Sequence, residues 1–165
     1  MHYECKQCLK LYQYCECKKE SEVNQLQETK AWFEQAIPEP TIEQAAIQIG
    51  CHLEEVEEML EEINLGGSQA QKEMLIESGN FKNPSDYYLH KLQDVQPERL
   101  LDALVDQIVT AVGVGHMLGM DVLGALAEVN RSNFSKFEDG KPVFDVNGKI
   151  TKGKHYTPPQ LDKFI

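Results

Sequence analysis

The sequence predicts an all-α fold with a short C-terminal β-hairpin tail and a small cysteine-rich N-terminal head. Apolar residues recur at steps of three and four over most of residues 21–137, the spacing of helices that bury one face. Proline and glycine separate these periodic stretches. From residue 138 the pattern changes to short strand-like runs around an Asn147-Gly148 turn. We therefore divide the chain into a head (1–20), a helical domain (21–137) and a tail (138–165).

Local signals mark where the helices begin and end. Pro38 ends the first helix, and Thr41 with Gln44 forms a capping-box pattern at the start of the second. Pro97 opens a later helix, where a missing N–H is tolerated. Its run Leu100–Val112 is apolar around more than half of the cylinder, which predicts deep burial. The predicted helices span residues 22–36, 41–63, 69–78, 85–92, 97–112 and 120–137.

Composition narrows the function classes. The formal net charge of −11 over 165 residues argues against a general nucleic-acid binder, because phosphate backbones are bound by clustered Lys and Arg. No uncharged apolar run approaches the roughly 20 residues of a membrane span. The N-terminus, MHYECKQC, lacks the basic-then-apolar layout of a signal peptide. The sequence thus predicts a cytoplasmic protein with neither nucleic acid nor membrane as a partner.

Carboxylates are concentrated in the run His52–Ile63 of the second helix. Glu54 and Glu55 lie about one turn from Glu58, so the three share one side of that helix. Two plainer interpretations stay open, because charge runs are typical of solvated faces and because aspartates on a later helix could pair with nearby basic residues. Those aspartates, Asp102 and Asp106, lie on the apolar helix, where an unpaired carboxylate is costly unless metal neutralises it. The two groups together favour Mg²⁺, which prefers oxygen ligands.

These motifs resemble a known superfamily. The segment EEVEE at residues 54–58, followed by an acidic pair on a later helix, is similar to the metal motifs of the all-α nucleoside triphosphate pyrophosphatases, which include MazG-like proteins and phosphoribosyl-ATP pyrophosphohydrolases. The phrases DALVDQIVTAVGVGHMLGMD and EVNRSNFSKFEDGKPVFDVNGKITKG resemble small stand-alone MazG-like proteins of bacteriophages and bacteria. The likeness covers about residues 24–161. The usual E-x-x-D motif is replaced by Asp102-x-x-x-Asp106, so Asp102 takes the place of the family glutamate.

The resemblance implies a MazG-like helical bundle that cleaves (d)NTP to (d)NMP and pyrophosphate with Mg²⁺, for which Mn²⁺ can substitute. It implies a homodimer or homotetramer, because the family builds its site between helices of more than one subunit. The implied catalytic residues are Glu54, Glu55 and Glu58. The implied metal ligands are Glu55, Glu58, Asp102 and Asp106. The implied substrate-binding residues are Asn130, Asn133, Lys136 and Lys141, although each taken alone is typical of an ordinary polar surface.

The head carries four cysteines within a short span and lies outside the resemblance. The spacing of Cys5, Cys8, Cys15 and Cys17 predicts a small zinc site, since structural zinc takes four Cys or His ligands. Redox-sensitive thiols are the alternative, and disulfides are disfavoured in a reducing cytosol. The head also suggests a rival function. In that interpretation the chain is a non-catalytic metal-binding helical interaction module, and its carboxylates are simply solvated.

Overall fold

The computed structural model describes residues 24–165, so the predicted zinc ligands Cys5, Cys8, Cys15 and Cys17 lie outside the described residues. The all-α prediction is confirmed, since the described part of the chain forms α-helices and no β-strand. The α-helices of residues 24–165 are α1 Gln25–Ala36, α2 Ile42–Leu60, α3 Gln69–Lys82, α4 Asp86–Gln93, α5 Pro97–Met117 and α6 Val122–Phe134. A π-helical turn, Glu61–Leu65, follows α2, and a 3₁₀ turn, Asp162–Phe164, closes the chain.

Side-chain caps fix where several helices begin. The Thr41 side chain accepts a hydrogen bond from the backbone N–H of Gln44, and the Gln44 side chain accepts one from the backbone N–H of Thr41. The predicted capping box of α2 is therefore confirmed. Asn24, Ser68 and Asp121 cap α1, α3 and α6 by accepting a backbone N–H of the first turn.

Several helix ends differ from the prediction: α5 continues past residue 112 to Met117, and α6 stops at Phe134 rather than at residue 137. The second helix was expected to reach Ile63, but the α-helix ends at Leu60 and a π-helical turn follows, in which Asn64 has a left-handed φ of 63°. The third helix was expected to end at Ser78, but α3 continues through Gly79 to Lys82. A helical glycine costs about 1 kcal/mol relative to alanine. Here the packing of α3 along α2 outweighs that cost.

The helices pack in two pairs. α2 lies against α3, and α1 lies against α6. Gly50 lets α2 and α3 approach closely, because a Cβ built on it would lie 2.8 Å from the carbonyl oxygen of Ser78. The Ser78 hydroxyl donates to the Gly50 carbonyl oxygen at 2.9 Å. Between α1 and α6, Trp32 is buried and stacks on Phe137, with ring centroids 5.8 Å apart.

The tail turns back at Asn147-Gly148 as predicted, but it forms isolated β-bridges instead of a continuous two-stranded ladder. The Asp145 side chain explains part of this difference. It accepts hydrogen bonds from the backbone N–H groups of Asn147 and Lys149. Those amides are therefore engaged locally rather than in a ladder. The segment after residue 156 lies across α6, where the Ser132 hydroxyl donates to the carbonyl oxygen of Thr157 at 2.9 Å.

Helix α5 is exposed along most of its length in the single chain. Leu101, Val109 and Met117 are 63%, 62% and 83% exposed. The prediction that this helix is deeply buried is therefore wrong for one chain. The reason is that an apolar periodicity shows which surface needs a cover, but not whether the same chain supplies it.

Among the described residues, α5 is also the helix long and apolar enough to cross a membrane by length and composition, with a mean hydropathy of 1.3. The sequence had predicted no membrane span. Core helices of soluble proteins have the same length and hydropathy. Asp102 and Asp106 oppose a span, since one charged side chain at a bilayer centre costs about 2.5–3.5 kcal/mol on insertion scales.

Candidate functional site

A pocket of about 320 Å³ lies between α1, α2, α6 and the tail. Its apolar wall includes Trp32, Phe33, Ile37, Ile47 and Ile150. Its polar wall includes Gln48, Cys51, Glu55, Asn133, Lys136 and Lys149. Small-molecule sites are commonly concave and mostly apolar, with a few converging polar groups. Glu55, Asn133 and Lys136, predicted from separate sequence motifs, thus line one pocket.

Glu55, on the pocket wall, and Glu58, about one turn further along α2, form an acidic edge beside this pocket. Both are exposed on α2, and the negative charge of Glu55 raises the pKa of Glu58, with burial and neighbouring glutamates adding to the effect. Neither carboxylate is in an ion pair among the described residues. Two neighbouring carboxylates that repel each other are suited to a divalent cation, which would relieve the repulsion.

Glu54 lies in a different environment. One of its oxygens is 2.6 Å from Lys82 Nζ, at the end of α3, and the other is 2.8 Å from Lys149 Nζ, in the tail. Burial raises the pKa of Glu54, but the hydrogen bonds from Lys149 and Lys82 outweigh it and lower the pKa below its ordinary value. Glu54 is therefore an ionised carboxylate with two cationic partners. Glu55 has no such partner among the described ion pairs.

Lys136 is the cation of the pocket without a carboxylate partner among the described residues. Its Nζ lies 5.7 Å from the ring centroid of Trp32. Burial lowers the pKa of Lys136. A half-buried ammonium that no carboxylate neutralises is suited to bind an anion such as a phosphate.

The aromatic wall was not predicted from the sequence. Trp32 stacks on Phe137, its Nε1 donates to the carbonyl oxygen of Asn133 at 2.9 Å, and the Phe33 ring meets it edge-on at 4.8 Å. The apolar periodicity of residues 22–36 predicts a helix that buries one face, and Trp32 lies on the buried face of α1. That periodicity could not show that the same face borders a cavity. Lys149 was missed too, although it directly follows the predicted Asn147-Gly148 turn.

The remaining predicted residues lie elsewhere. Asn130 is 2% exposed, and its side chain donates to the carbonyl oxygen of Gln25 and lies 2.8 Å from the Thr29 hydroxyl, so it joins α6 to α1. Lys141 is exposed in the tail and is not among the residues that line the pocket. Asp102 and Asp106 are exposed on α5. The single chain therefore brings together only part of the predicted site.

The same holds for the predicted metal ligands. Within residues 24–165, no group of three or more His, Cys, Asp or Glu side chains converges to hold a metal ion. Glu55 and Glu58 supply the oxygen chemistry that Mg²⁺ prefers, but Asp102 and Asp106 do not complete a group with them in one chain. The side chains of His52 and Gln107 touch, which is one point where α2 and α5 meet.

We compared the chain with protein-family models, with curated proteins and with solved structures. No family model matches it, and no curated protein or solved structure is significantly similar. The family likeness therefore rests on the sequence phrases quoted above. The chemistry of the pocket has to be inferred from its own residues.

Proposed function

We propose that this protein is a magnesium-dependent nucleoside triphosphate pyrophosphohydrolase that cleaves (d)NTP to (d)NMP and pyrophosphate. The observation that carries the proposal is the pocket lined by Glu55, Asn133 and Lys136. Its acidic edge suits a divalent cation, its unpaired lysine suits phosphates, and its aromatic wall suits a nucleobase. The resemblance to MazG-like proteins supplies the bond that is cleaved, between the α- and β-phosphates.

In this proposal Glu55 and Glu58 hold the metal from α2, and Mg²⁺ supplies Lewis-acid activation of a phosphate and of water. Lys136 binds phosphate oxygens as a point charge, and Asn133 donates from its side-chain amide. Trp32 and Phe33 form the apolar end of the pocket. Glu54 has a supporting role while Lys82 and Lys149 pair with it.

The proposal includes a second copy of the chain that covers α5. Isolated exposed apolar side chains are common, but α5 exposes a series of them along its length, from Leu100 to Met117. Asp102 and Asp106 lie on the same helix, so the copy that covers it would also enclose these carboxylates. A homodimer is enough to bury the exposed apolar surface of α5. A second exposed apolar pair on α3, Leu75 and Ile76, offers a further contact for a tetramer.

The experiment is pyrophosphate release from a panel of NTPs and dNTPs with Mg²⁺ or Mn²⁺. We expect metal-dependent release in the parent and its loss in Glu55→Gln and Asp106→Asn. Glu62→Gln is the matched control, because Glu62 lies in the same acidic run but not on the pocket wall. No release from any nucleotide by a folded parent would overturn the proposal.

A second candidate is the non-catalytic interaction module. The observation that favours it is the exposed apolar surface of α5, which a different protein could cover as well as a second copy. Here the head would bind Zn²⁺ through Cys5, Cys8, Cys15 and Cys17 and contribute to the interaction. Metal analysis of the purified chain tests this proposal, with one zinc per chain as the expected result and none as the contradicting one.

A further inference from the structure

We infer that Lys149 is a phosphate-binding residue, and that its ammonium is ion-paired with Glu54 when no phosphate is bound. When a polyphosphate enters the pocket, Lys149 exchanges Glu54 for the phosphate oxygens, and Lys82 stays on Glu54. The inference deepens the proposed function and rests on it for the class of ligand, a nucleoside polyphosphate. It concerns binding alone and involves no bond cleavage.

Two lysines share the carboxylate of Glu54. Lys149 and Lys82 occupy different oxygens of one carboxylate, at 2.8 and 2.6 Å. The cluster therefore has two cations for one anion. If Lys149 leaves, Glu54 keeps Lys82 and no half-buried carboxylate is left unpaired, which is the outcome that would make the exchange costly.

Lys149 lies on the wall of the pocket. It lines the pocket together with Lys136, and both lysines also line an adjoining cavity of about 400 Å³, whose other charged groups are Lys152 and Asp145. Their charges repel, and the charge of Lys149 contributes to the lowered pKa of Lys136, after burial. In a chain with a net charge of −11, two adjacent lysines on one wall form a local anion site. An anion bound between them would relieve the repulsion.

The backbone of Lys149 is held by hydrogen bonds, while its side chain is partly exposed to solvent. The Asp145 carboxylate accepts from the backbone N–H of Lys149 at 3.0 Å, and the Lys149 carbonyl oxygen accepts from the Asp145 N–H at 2.9 Å. The Lys149 side chain is 43% exposed. The ammonium can therefore turn from Glu54 towards the pocket without any rearrangement of the tail.

The test is equilibrium binding of inorganic triphosphate to the full chain, by calorimetry and without divalent metal. Lys149→Gln should weaken binding roughly tenfold, the effect of one charge-assisted hydrogen bond. Lys154→Gln is the matched control and should bind like the parent, because Lys154 lies in the same tail, is 82% exposed and lines neither cavity. Glu54→Gln frees Lys149 and should tighten binding several-fold.

The decisive variant combines Glu54→Gln with Lys149→Gln. The inference expects it to bind as weakly as Lys149→Gln alone, because Glu54 acts through Lys149. It is overturned if Lys149→Gln binds like Lys154→Gln, if the gain from Glu54→Gln persists in the double variant, or if the parent does not bind triphosphate. Binding in the expected order without pyrophosphate release from any NTP would support the inference and refute the proposed reaction.

Discussion

Lys149 Nζ lies 2.8 Å from one carboxylate oxygen of Glu54, which ties the tail to α2 at the edge of the pocket. Lys82 binds the other oxygen and adds α3 to the same point. The three groups are partly exposed, so each pair contributes at most about 1 kcal/mol to stability. Their importance lies in where they place charge. They bring a cationic tail against the acidic helix, beside a cavity.

Gly50 tests the close packing of α2 on α3. Gly50→Ala should lower the free energy of unfolding by about 1–3 kcal/mol, because the added Cβ would lie 2.8 Å from the Ser78 carbonyl oxygen and 2.9 Å from the backbone nitrogen of Lys82. Gly79→Ala is the matched control. Nothing lies within 4 Å of its Cβ, so this helical alanine should raise stability by about 0.5–1 kcal/mol. Urea denaturation measures both, and equal effects would contradict the packing.

Lys136 and Lys141 were both predicted to bind substrate, but only Lys136 lines the pocket. The chain has one tryptophan, Trp32, and it lies in the pocket wall, so its fluorescence should report nucleotide binding. Lys136→Gln should weaken the titrated affinity roughly tenfold through loss of a charged hydrogen bond. Lys141→Gln should leave it unchanged. Equal losses in the two variants would mean that the phosphates bind elsewhere.

The C-terminal segment is held on α6 by Glu128. Hydrogen bonds from Arg131 and from the backbone N–H of Gln160 lower the pKa of Glu128 from 4.5 to about 2. A carboxyl whose folded pKa is depressed stabilises the fold above its unfolded pKa, and this contribution is lost as the pH falls from about 4.5 towards 2. The protection of the amides of residues 157–165 against hydrogen exchange, measured relative to their intrinsic exchange rates at each pH, should therefore fall over that range.

Glu128→Gln should produce the same loss of protection already at pH 7, because the neutral amide binds Arg131 weakly. Asp162→Asn is the control, since Asp162 belongs to the same segment but forms none of the described ion pairs. Unchanged exchange in Glu128→Gln would show that the apolar contact of Phe164 with Gly124 suffices to hold the segment.

The exposed α5 surface should control the oligomeric state. Val109 is 62% exposed on α5, so Val109→Asp should place a charge in the interface and convert the oligomer to monomers. Val146→Asp provides the comparison, because Val146 is fully exposed but lies in the tail. Light scattering after size-exclusion chromatography distinguishes the states. A monomeric parent would refute the role proposed for α5.

Local chemistry explains which parts of the fold could be predicted. The capping box at Thr41 and Gln44, and the start of α5 at Pro97, depend on a few neighbouring residues. The end of α3 was missed because Gly79 is a helix breaker in isolation, whereas the packing of α3 as a whole on α2 keeps the helix continuous through it. The exposure of α5 could not be predicted, because its partner surface is not encoded in the helix itself.

The residues of the candidate site also divide into those that a local motif predicts and those that only a long-range contact reveals. Glu55, Asn133 and Lys136 were predicted from motifs, and the structure places them around one pocket. Lys149 was missed because its contact with Glu54 joins residues far apart in the chain, and no local spacing signals such a pair. Asn130 shows the converse. Its position in the motif suggested substrate, whereas its side chain is engaged with Gln25 and Thr29.

Phosphorus NMR of the products formed from a dNTP with Mg²⁺ would identify which phosphate bond is cleaved. We expect nucleoside monophosphate and pyrophosphate in equal amounts from the parent, and intact triphosphate with Glu55→Gln. Nucleoside diphosphate with inorganic phosphate would show that a different bond is cleaved. Intact triphosphate with the folded parent would contradict the claim that this pocket is catalytic.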